Sequence, residues 1–307
     1  MLVQGKVLLV ASTGGHLTQL TRMANSWDID NDSLWVTFDT HQSRSMLEGK
    51  RVLHVPYIAP RDLKAAAVAT RIITQEVAGE NFDRVVSTGA GLALAAFMSS
   101  KLRRTPKTYI ESVSRTSGPS LTGRIVSALR LADQYTQHQS WAGRRWKHTP
   151  GVLDEFITAV KPVPDGRPSL FVTLGTIKPY RFDSMIDAVL RTGLADERTV
   201  WQVGETSRTD LPGTCVPHMT AEEFKSCVSR ADVTLTHAGV GTILQLLEAG
   251  ECPVVIPRDP ARKEHVDDHQ RLICRLLESK GLAVVRETDE LSADDVFLAA
   301  SSRTLPV

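Results

Sequence analysis

No stretch of the 307-residue chain is apolar for long enough to cross a bilayer as a helix, a span that takes about 20 residues. The opening run M-L-V-Q-G-K-V-L-L-V lacks the long apolar core of a secretory signal and is expected to lead into a first strand. Cysteine is scarce. Cys215, Cys227, Cys252 and Cys274 all fall in the second half without zinc-type spacing, and they read as buried thiols in a reducing cytoplasm. Aromatic residues make up only 6% of the chain and no nucleic-acid-binding motif is present, which argues against a nucleic-acid partner. There is no G-x-x-x-x-G-K-[ST] loop and no G-x-G-x-x-G fingerprint. H-E-x-x-H is absent, and no D-x-D sits at a strand end to demand a cation.

What is present is the make-up of a globular protein, 42% hydrophobic and 23% charged, at a length that suits two domains. The net charge of +1 hides an asymmetry: residues 1–164 carry 20 Lys+Arg against 13 Asp+Glu, and the remainder 16 against 22. Within 84–148 there are eleven basic residues and two acidic ones, Glu111 and Asp133. That density, beside Phe97, Met98, Leu102 and an amphipathic segment at 121–131, suits peripheral contact with an anionic membrane better than a merely solvated face.

Short β-branched runs alternate with segments of helical period, the pattern of doubly wound parallel sheets. Strands are expected at 6–11, 34–38, 51–55, 84–87 and 107–110, then at 169–174, 200–204, 233–236, 252–257 and 281–285. A helix is expected at 63–77, another capped near Thr220 with Glu223 three residues on, and another from 264 to 277. The Pro/Gly-rich stretch at 149–168 marks the boundary between domains 1–164 and 165–307. Asp28, Asp30 and Asp32 alternate as in a calcium loop but lack its glycine and glutamate, so a solvated loop is expected.

The chain is organised around D-V-T-L-T-H-A-G-V-G-T-I-L-Q-L-L-E-A-G at 232–250. A buried strand runs into a helix through His237-Ala-Gly-Val-Gly-Thr242. Glycines there admit a ligand close to the backbone, and the helix start favours an anion. By itself this is also an ordinary tight turn.

H-A-G-V-G-T, then E-A-G-x-x-P-V-V-I-P, then D-D-H-Q resembles the donor-binding half of nucleotide-sugar glycosyltransferases of the GT-B class, which have two Rossmann-like domains. The likeness extends to the transferase that forms lipid II and to the two-subunit transferase of dolichol-linked oligosaccharide synthesis. It extends also to bacterial exopolysaccharide glycosyltransferases of that two-subunit type, here fused in one chain. In the first half, S-T-G-G-H at 12–16, S-T-G-A-G at 87–91, Y-I-E-S-V-S-R-T at 109–116, L-T-G-R-I-V at 121–126 and A-D-Q-Y-T-Q-H at 132–138 resemble the acceptor-side subunit.

This resemblance implies an inverting, metal-independent transferase with an interdomain cleft and no cofactor. It would use a UDP-sugar and a lipid-linked saccharide acceptor, and would work in the cytoplasm against the inner face of the membrane. On the donor side it marks Gly175, Thr176, Gly204, Met219, His237, Gly239, Gly241, Thr242, Gln245, Asp268, His269 and Gln270. His237 and Thr242 would meet the diphosphate, though Thr242 is equally placed to cap its helix, and 268–270 would meet the sugar. Gln245 stands where relatives carry a ribose-binding Glu; its carboxamide can hold one hydroxyl and cannot chelate two. His265 and His269, at i and i+4, raise metal binding, but no third ligand is apparent. On the acceptor side it marks Gly14, Gly15, Gly89, Gly91, Ser112 and Arg115.

His16 and Glu111 compete as the general base that takes the acceptor proton. The last polar segment is expected to form a tail helix crossing to the first domain. A UDP-sugar 2-epimerase of the same architecture and a non-catalytic scaffold for lipid-linked sugar remain alternatives.

Overall fold

The computed structural model describes residues 3–59, 62–176, 179–265 and 269–307, the side chain of His269 apart. It divides into two compact units, Met1–Val152 and Leu153–Val307.

In the first unit the elements run β1 (Gln4–Gly5), β2 (Val7–Ala11), α1 (Gly15–Ala24), β3 (Asp28–Ile29), β4 (Leu34–Phe38), α2 (His41–Met46) and β5 (Arg51–Val55). There follow α3 (Leu63–Glu76), β6 (Arg84–Gly89), α4 (Gly91–Phe97), β7 (Lys107–Ile110), α5 (Leu121–Ala128), β8 (Asp133–Thr136) and β9 (Trp146–His148). Seven strands pair in the order β5-β4-β2-β6-β7-β8-β9, every pair parallel. All five residues of β2, V-L-L-V-A, are buried, as a strand covered by helices on both faces requires. Ala69, Ile73, Leu92, Ala93 and Val126 bring the apolar stripes of α3, α4 and α5 onto this sheet. Each large aliphatic side chain so buried contributes about 1.5–3 kcal/mol.

The second unit runs β10 (Phe156–Val160), β11 (Leu170–Thr173), α6 (Asp183–Arg191), β12 (Val200–Gln202), β13 (Thr214–Val216), α7 (Ala221–Arg230), β14 (Val233–His237) and α8 (Val240–Glu248). Then come β15 (Val254–Ile256), α9 (His269–Ser279), β16 (Val284–Val285), α10 (Ala293–Ala300) and β17 (Ser302–Pro306). Its six-stranded sheet has the order β13-β12-β11-β14-β15-β16, again parallel throughout. That is the strand order of a dinucleotide-binding Rossmann half-pair.

Several expectations are revised. Residues 153–164 lie in the second unit, because β10 pairs antiparallel with β17 over five residues. The tail stays in the second unit too: Val296, Ala299 and Ala300 of α10 enter that unit's core. Phe97 and Leu102 are core residues, at 4% and 2% exposure, so neither belongs to a surface patch. Residues 129–131 fall outside α5, which stops at Ala128 before Arg130 takes a positive φ of 50°. Only Cys252 and Cys274 are buried thiols; Cys227 is partly buried and Cys215 exposed.

Candidate functional site

In each sheet the strand order reverses beside the first strand: β2 lies between β4 and β6, and β11 between β12 and β14. Turns leave such a reversal in opposite directions, opening a crevice beyond the carboxyl ends of the strands. The helix N-termini divide along the same line. Thr40, Asp62, Ser120, Thr220 and Ser292 cap α2, α3, α5, α7 and α10 with a side-chain oxygen. The four described helix starts without a side-chain cap are α1, α4, α6 and α8. These follow β2 and β6 in one sheet, β11 and β14 in the other. The first amides of a helix have no partner within it, and a cap ordinarily takes one of them. The sequence omits caps where the topology opens a crevice.

In the second unit the turns after β11 and β14 meet at His237, and the turn after β12 packs on the first of them. A Cβ placed on Gly239 would stand 2.3 Å from the imidazole Nε2. Gly204, at φ +58°, packs against the Gly175 carbonyl oxygen, which a Cβ there would approach to 2.1 Å. The structure thus gathers Gly175, Gly204, His237 and Gly239. His237 is partly accessible as a residue, but its ring is wedged between two glycine backbones. Burial, and next the positive charge of Arg258, push its pKa down to about 3, with a hydrogen bond to the Thr173 main chain partly offsetting them. The imidazole is therefore neutral at pH 7.

Helix α8 starts at Val240 with Gly239 as its N-cap. Gly241, Thr242 and Gln245 lie on its first turns, partly buried, and Thr242 and Gln245, three apart, share a face. Thr242 does not cap the helix. Met219 packs against the cluster of Phe171, Val228 and Leu246. Thr176 is exposed beside Gly175. Gln270 is 8% exposed, and its Oε1 accepts the Arg258 amide at 2.9 Å, which leaves its NH2 group as the polar end for a ligand. Asp268 and the His269 side chain lie outside the described residues, as do positions 266 and 267. Among the described residues, no three His, Cys, Asp or Glu side chains gather as for a metal ion.

The first unit builds its reversal with a second histidine. Ser12 N donates to Gly89 O at 2.9 Å and Ala90 N to Ser12 Oγ at 3.1 Å, joining the turns after β2 and β6. His16 Nδ1 lies 2.6 Å from the Thr88 carbonyl oxygen, and the Thr88 hydroxyl donates to His16 O at 2.8 Å. A carbonyl only accepts, so Nδ1 carries the proton and Nε2 keeps its lone pair. Burial is the main cause that lowers the His16 pKa, and it stays neutral near pH 7. Gly89, at φ +109°, lets the ring come close, since a Cβ there would be 3.0 Å from Cε1. Gly14 is the N-cap of α1, and Gly15 and Gly91 open α1 and α4.

Glu111 has a different setting. It is 1% exposed, and its carboxylate accepts from Ser120 N (2.9 Å), Ser120 Oγ (3.0 Å), Ser112 N (3.2 Å) and Tyr109 OH (3.3 Å). Burial, its largest influence, raises its pKa. Gln19 and Gln137 brace the same segment: Val113 N donates to Gln19 Oε1, and Gln137 Nε2 donates to Glu111 O, each at 2.9 Å. Ser112 Oγ accepts from Gln19 Nε2 at 3.2 Å. Arg115 closes this loop, its amide donating to Ser112 O and its carbonyl accepting from Trp141 Nε1. Glu111 is thus the keystone of a buried polar network, and His16 presents a ring nitrogen at a crevice.

Sequence reasoning missed Arg258. It is a 1%-exposed cation after β15, and its place in P-R-D-P-A-R looks like that of a loop arginine. Only the proline before it signals anything unusual.

Residues 198–298 match the model of the glycosyltransferase family 28 C-terminal domain. Over 94% of its length the chain is 25% identical to the UDP-N-acetylglucosamine–N-acetylmuramyl-(pentapeptide) pyrophosphoryl-undecaprenol N-acetylglucosamine transferase of Gloeobacter violaceus, covering 86% of that protein. Among solved structures it is similar to Acinetobacter baumannii MurG, with a TM-score of 0.55, 14% identity, and coverage of 96% of this chain and 89% of that one. The glycosyltransferase SnogD from Streptomyces nogalater gives a TM-score of 0.56 at 18% identity, over 97% and 93% of the two chains. UDP-GlcNAc 2-epimerase from Methanocaldococcus jannaschii gives 0.52 at 13% identity, over 89% and 92%. These likenesses make the chain a glycosyltransferase of the two-domain GT-B fold.

Proposed function

We propose that this glycosyltransferase moves a sugar, with inversion and without a metal, from a UDP-sugar on its second unit to a lipid-pyrophosphate-linked acceptor on its first. The observation that carries the reading is the uncapped start of α8 at the sheet reversal, with His237 wedged between Gly175 and Gly239. Main-chain amides, the His237 imidazole and the Thr242 hydroxyl meet the diphosphate there, and they stabilise the charge that develops as UDP leaves. Gln245 holds one ribose hydroxyl. Asp268, His269 and the NH2 group of Gln270 meet the donor sugar.

On the first unit, His16 Nε2 takes the proton of the acceptor hydroxyl as its oxygen attacks the anomeric carbon. The bond from that carbon to the UDP β-phosphate oxygen breaks in the same displacement, which inverts the centre. The Thr88 carbonyl supports this role by holding the proton on Nδ1. Glu111, enclosed by four donors, serves the loop that Ser112 and Arg115 belong to.

Membrane contact is peripheral and electrostatic. Met98, Leu121 and Leu129 are 62%, 61% and 58% exposed, and Lys101, Arg103, Arg104 and Arg124 are exposed in the same part of the chain. Apolar side chains beside cations suit an anionic bilayer on the cytoplasmic face.

A donor screen reading UDP release, with lipid extract as acceptor, tests the reading: release that depends on the extract is expected. The epimerase reading keeps support from a shared fold. Incubation with UDP-N-acetylglucosamine alone separates the two, since steady epimer formation without acceptor sinks the transfer reading.

A further inference from the structure

Arg258 is among the most completely buried large side chains of the protein, yet among the described residues its hydrogen bonds go to carbonyls and not to a carboxylate. The buried Glu264 carboxylate acts on it through space, its own oxygens engaged with Ser184 Oγ and Asp259 N. Its Nη1 donates to the carbonyls of Arg181 and Glu264, each at 3.0 Å, and more weakly to Tyr180 at 3.4 Å. Nη2 donates to Leu174 O at 2.5 Å. The Phe182 ring lies 4.6 Å from the guanidinium carbon. Nε has no partner. Carbonyl dipoles and a ring face carry no countercharge, and the Glu264 carboxylate offsets the burial only in part, since burial still pulls the Arg258 pKa down to about 10. Such burial is costly unless an anion completes it.

The carbonyls it collects say where that anion belongs. Leu174 immediately precedes Gly175 in the turn after β11, and Arg181 lies at the far end of that connection. Glu264 lies in the connection after β15. In the sheet, β11 and β15 are the two neighbours of β14. Arg258 therefore ties together the connections on either side of the β14 turn, where His237 and Gly239 open α8. Its positive charge is felt at His237, as the second cause of that imidazole's lowered pKa.

We infer that Arg258 is the positioning residue of the donor site, supplying a fixed internal positive charge for the donor's diphosphate while it holds the two flanking connections in place. This rests on the donor-site reading above. It divides the labour: the neutral His237 gives a hydrogen bond, and the cation acts from behind the turn, where solvent and salt screen it little.

The test is calorimetric titration of the full chain with UDP and, separately, with uridine. Arg258→Gln keeps an NH2 group for the carbonyls and removes the charge; Arg258→Lys keeps the charge and loses the fork. Arg258→Gln is expected to weaken UDP by roughly ten- to a hundredfold while uridine affinity holds, and Arg258→Lys to retain most of the preference for UDP. A merely structural arginine would lower both ligands together, so a parallel loss, or no loss, in Arg258→Gln overturns the inference. Should Arg258→Gln not fold, Arg258→Lys decides: preference kept supports the charge role, and preference lost with the charge present overturns it. A wild-type protein without UDP affinity would instead overturn the donor-site reading itself.

Discussion

His237 and Gly175 touch across the reversal of the second sheet, so closely that a Cβ on Gly175 would stand 2.6 Å from both Cε1 and Nε2 of the imidazole. The first unit repeats the relationship with its parts exchanged, the ring of His16 from the β2 turn lying against Gly89 of the β6 turn. In both units a histidine hydrogen-bonds the main chain of the strand across the reversal, Thr88 in one and Thr173 in the other. Two halves of one chain have reached one solution for fixing a neutral imidazole at a crevice.

The enclosed His237 has a consequence for acid stability. Its folded pKa, about 3, lies below the ordinary histidine value of 6.5, so between these values the unfolded chain binds more protons. Stability therefore falls as pH drops from about 6.5 towards 3, with a slope of up to about 1.4 kcal/mol per pH unit from this group. Thermal melts of wild type and His237→Asn across that window check it. The variant is expected to show the shallower acid loss, and equal slopes would mean that the ring is not held neutral.

His16 and Glu111 are separable by which property each loses. His16→Ala is expected to lower turnover by roughly 10²–10⁴-fold and to leave UDP affinity nearly unchanged. Activity of the wild type should fall on an acid limb below the ordinary histidine pKa, because burial lowers that of His16. Glu111→Gln puts an NH2 group among four donors, which costs about 1–3 kcal/mol and lowers the melting temperature, with turnover largely kept at permissive temperature. Near-normal turnover in His16→Ala, together with collapse of turnover in a folded Glu111→Gln, would exchange the two roles.

Much of this fold is legible in sequence, and the exceptions have physical causes. Runs such as V-L-L-V-A in β2 and V-T-L-T in β14 announce themselves because strands covered on both faces are apolar throughout. The Thr220 and Glu223 capping box forms as its spacing predicts. Strand β10 escaped because its partner β17 is about 140 residues away, and a pairing of that range leaves no local trace. That pairing moves the domain boundary from 164/165 to 152/153, near the start of the Pro/Gly-rich stretch. Phe97 and Leu102 look amphipathic beside lysine and arginine, and only packing shows them facing inward. At the site, glycines and histidines were readable because backbone approach restricts the choice of residue. Arg258 was not, because its ligands are main-chain carbonyls from two connections and carry no side-chain signature.

Membrane attachment gives a prediction that depends on salt. The protein is expected to sediment with vesicles containing anionic lipid, not with neutral ones, and to be released by raised salt. Replacing Lys101, Arg103 and Arg104 together by Glu should abolish the attachment, each cation being worth about 1 kcal/mol at such a surface. Sedimentation with neutral vesicles, or an unaffected triple variant, would place the contact elsewhere.

The central claim is that the start of α8 holds a nucleoside diphosphate by its own groups. Calorimetric titration of the protein with UDP, in a chelator that removes divalent ions, tests it most directly. Saturable binding at one site is expected in the wild type. Thr242→Val should weaken it by roughly tenfold or more while the melting temperature stays near wild type. Gly239→Val, whose Cβ would stand 2.3 Å from His237 Nε2 and force the wedged ring to shift, should weaken it as well, with a lower melting temperature. Absence of UDP binding in the wild type, or unchanged affinity in both variants, would contradict the account.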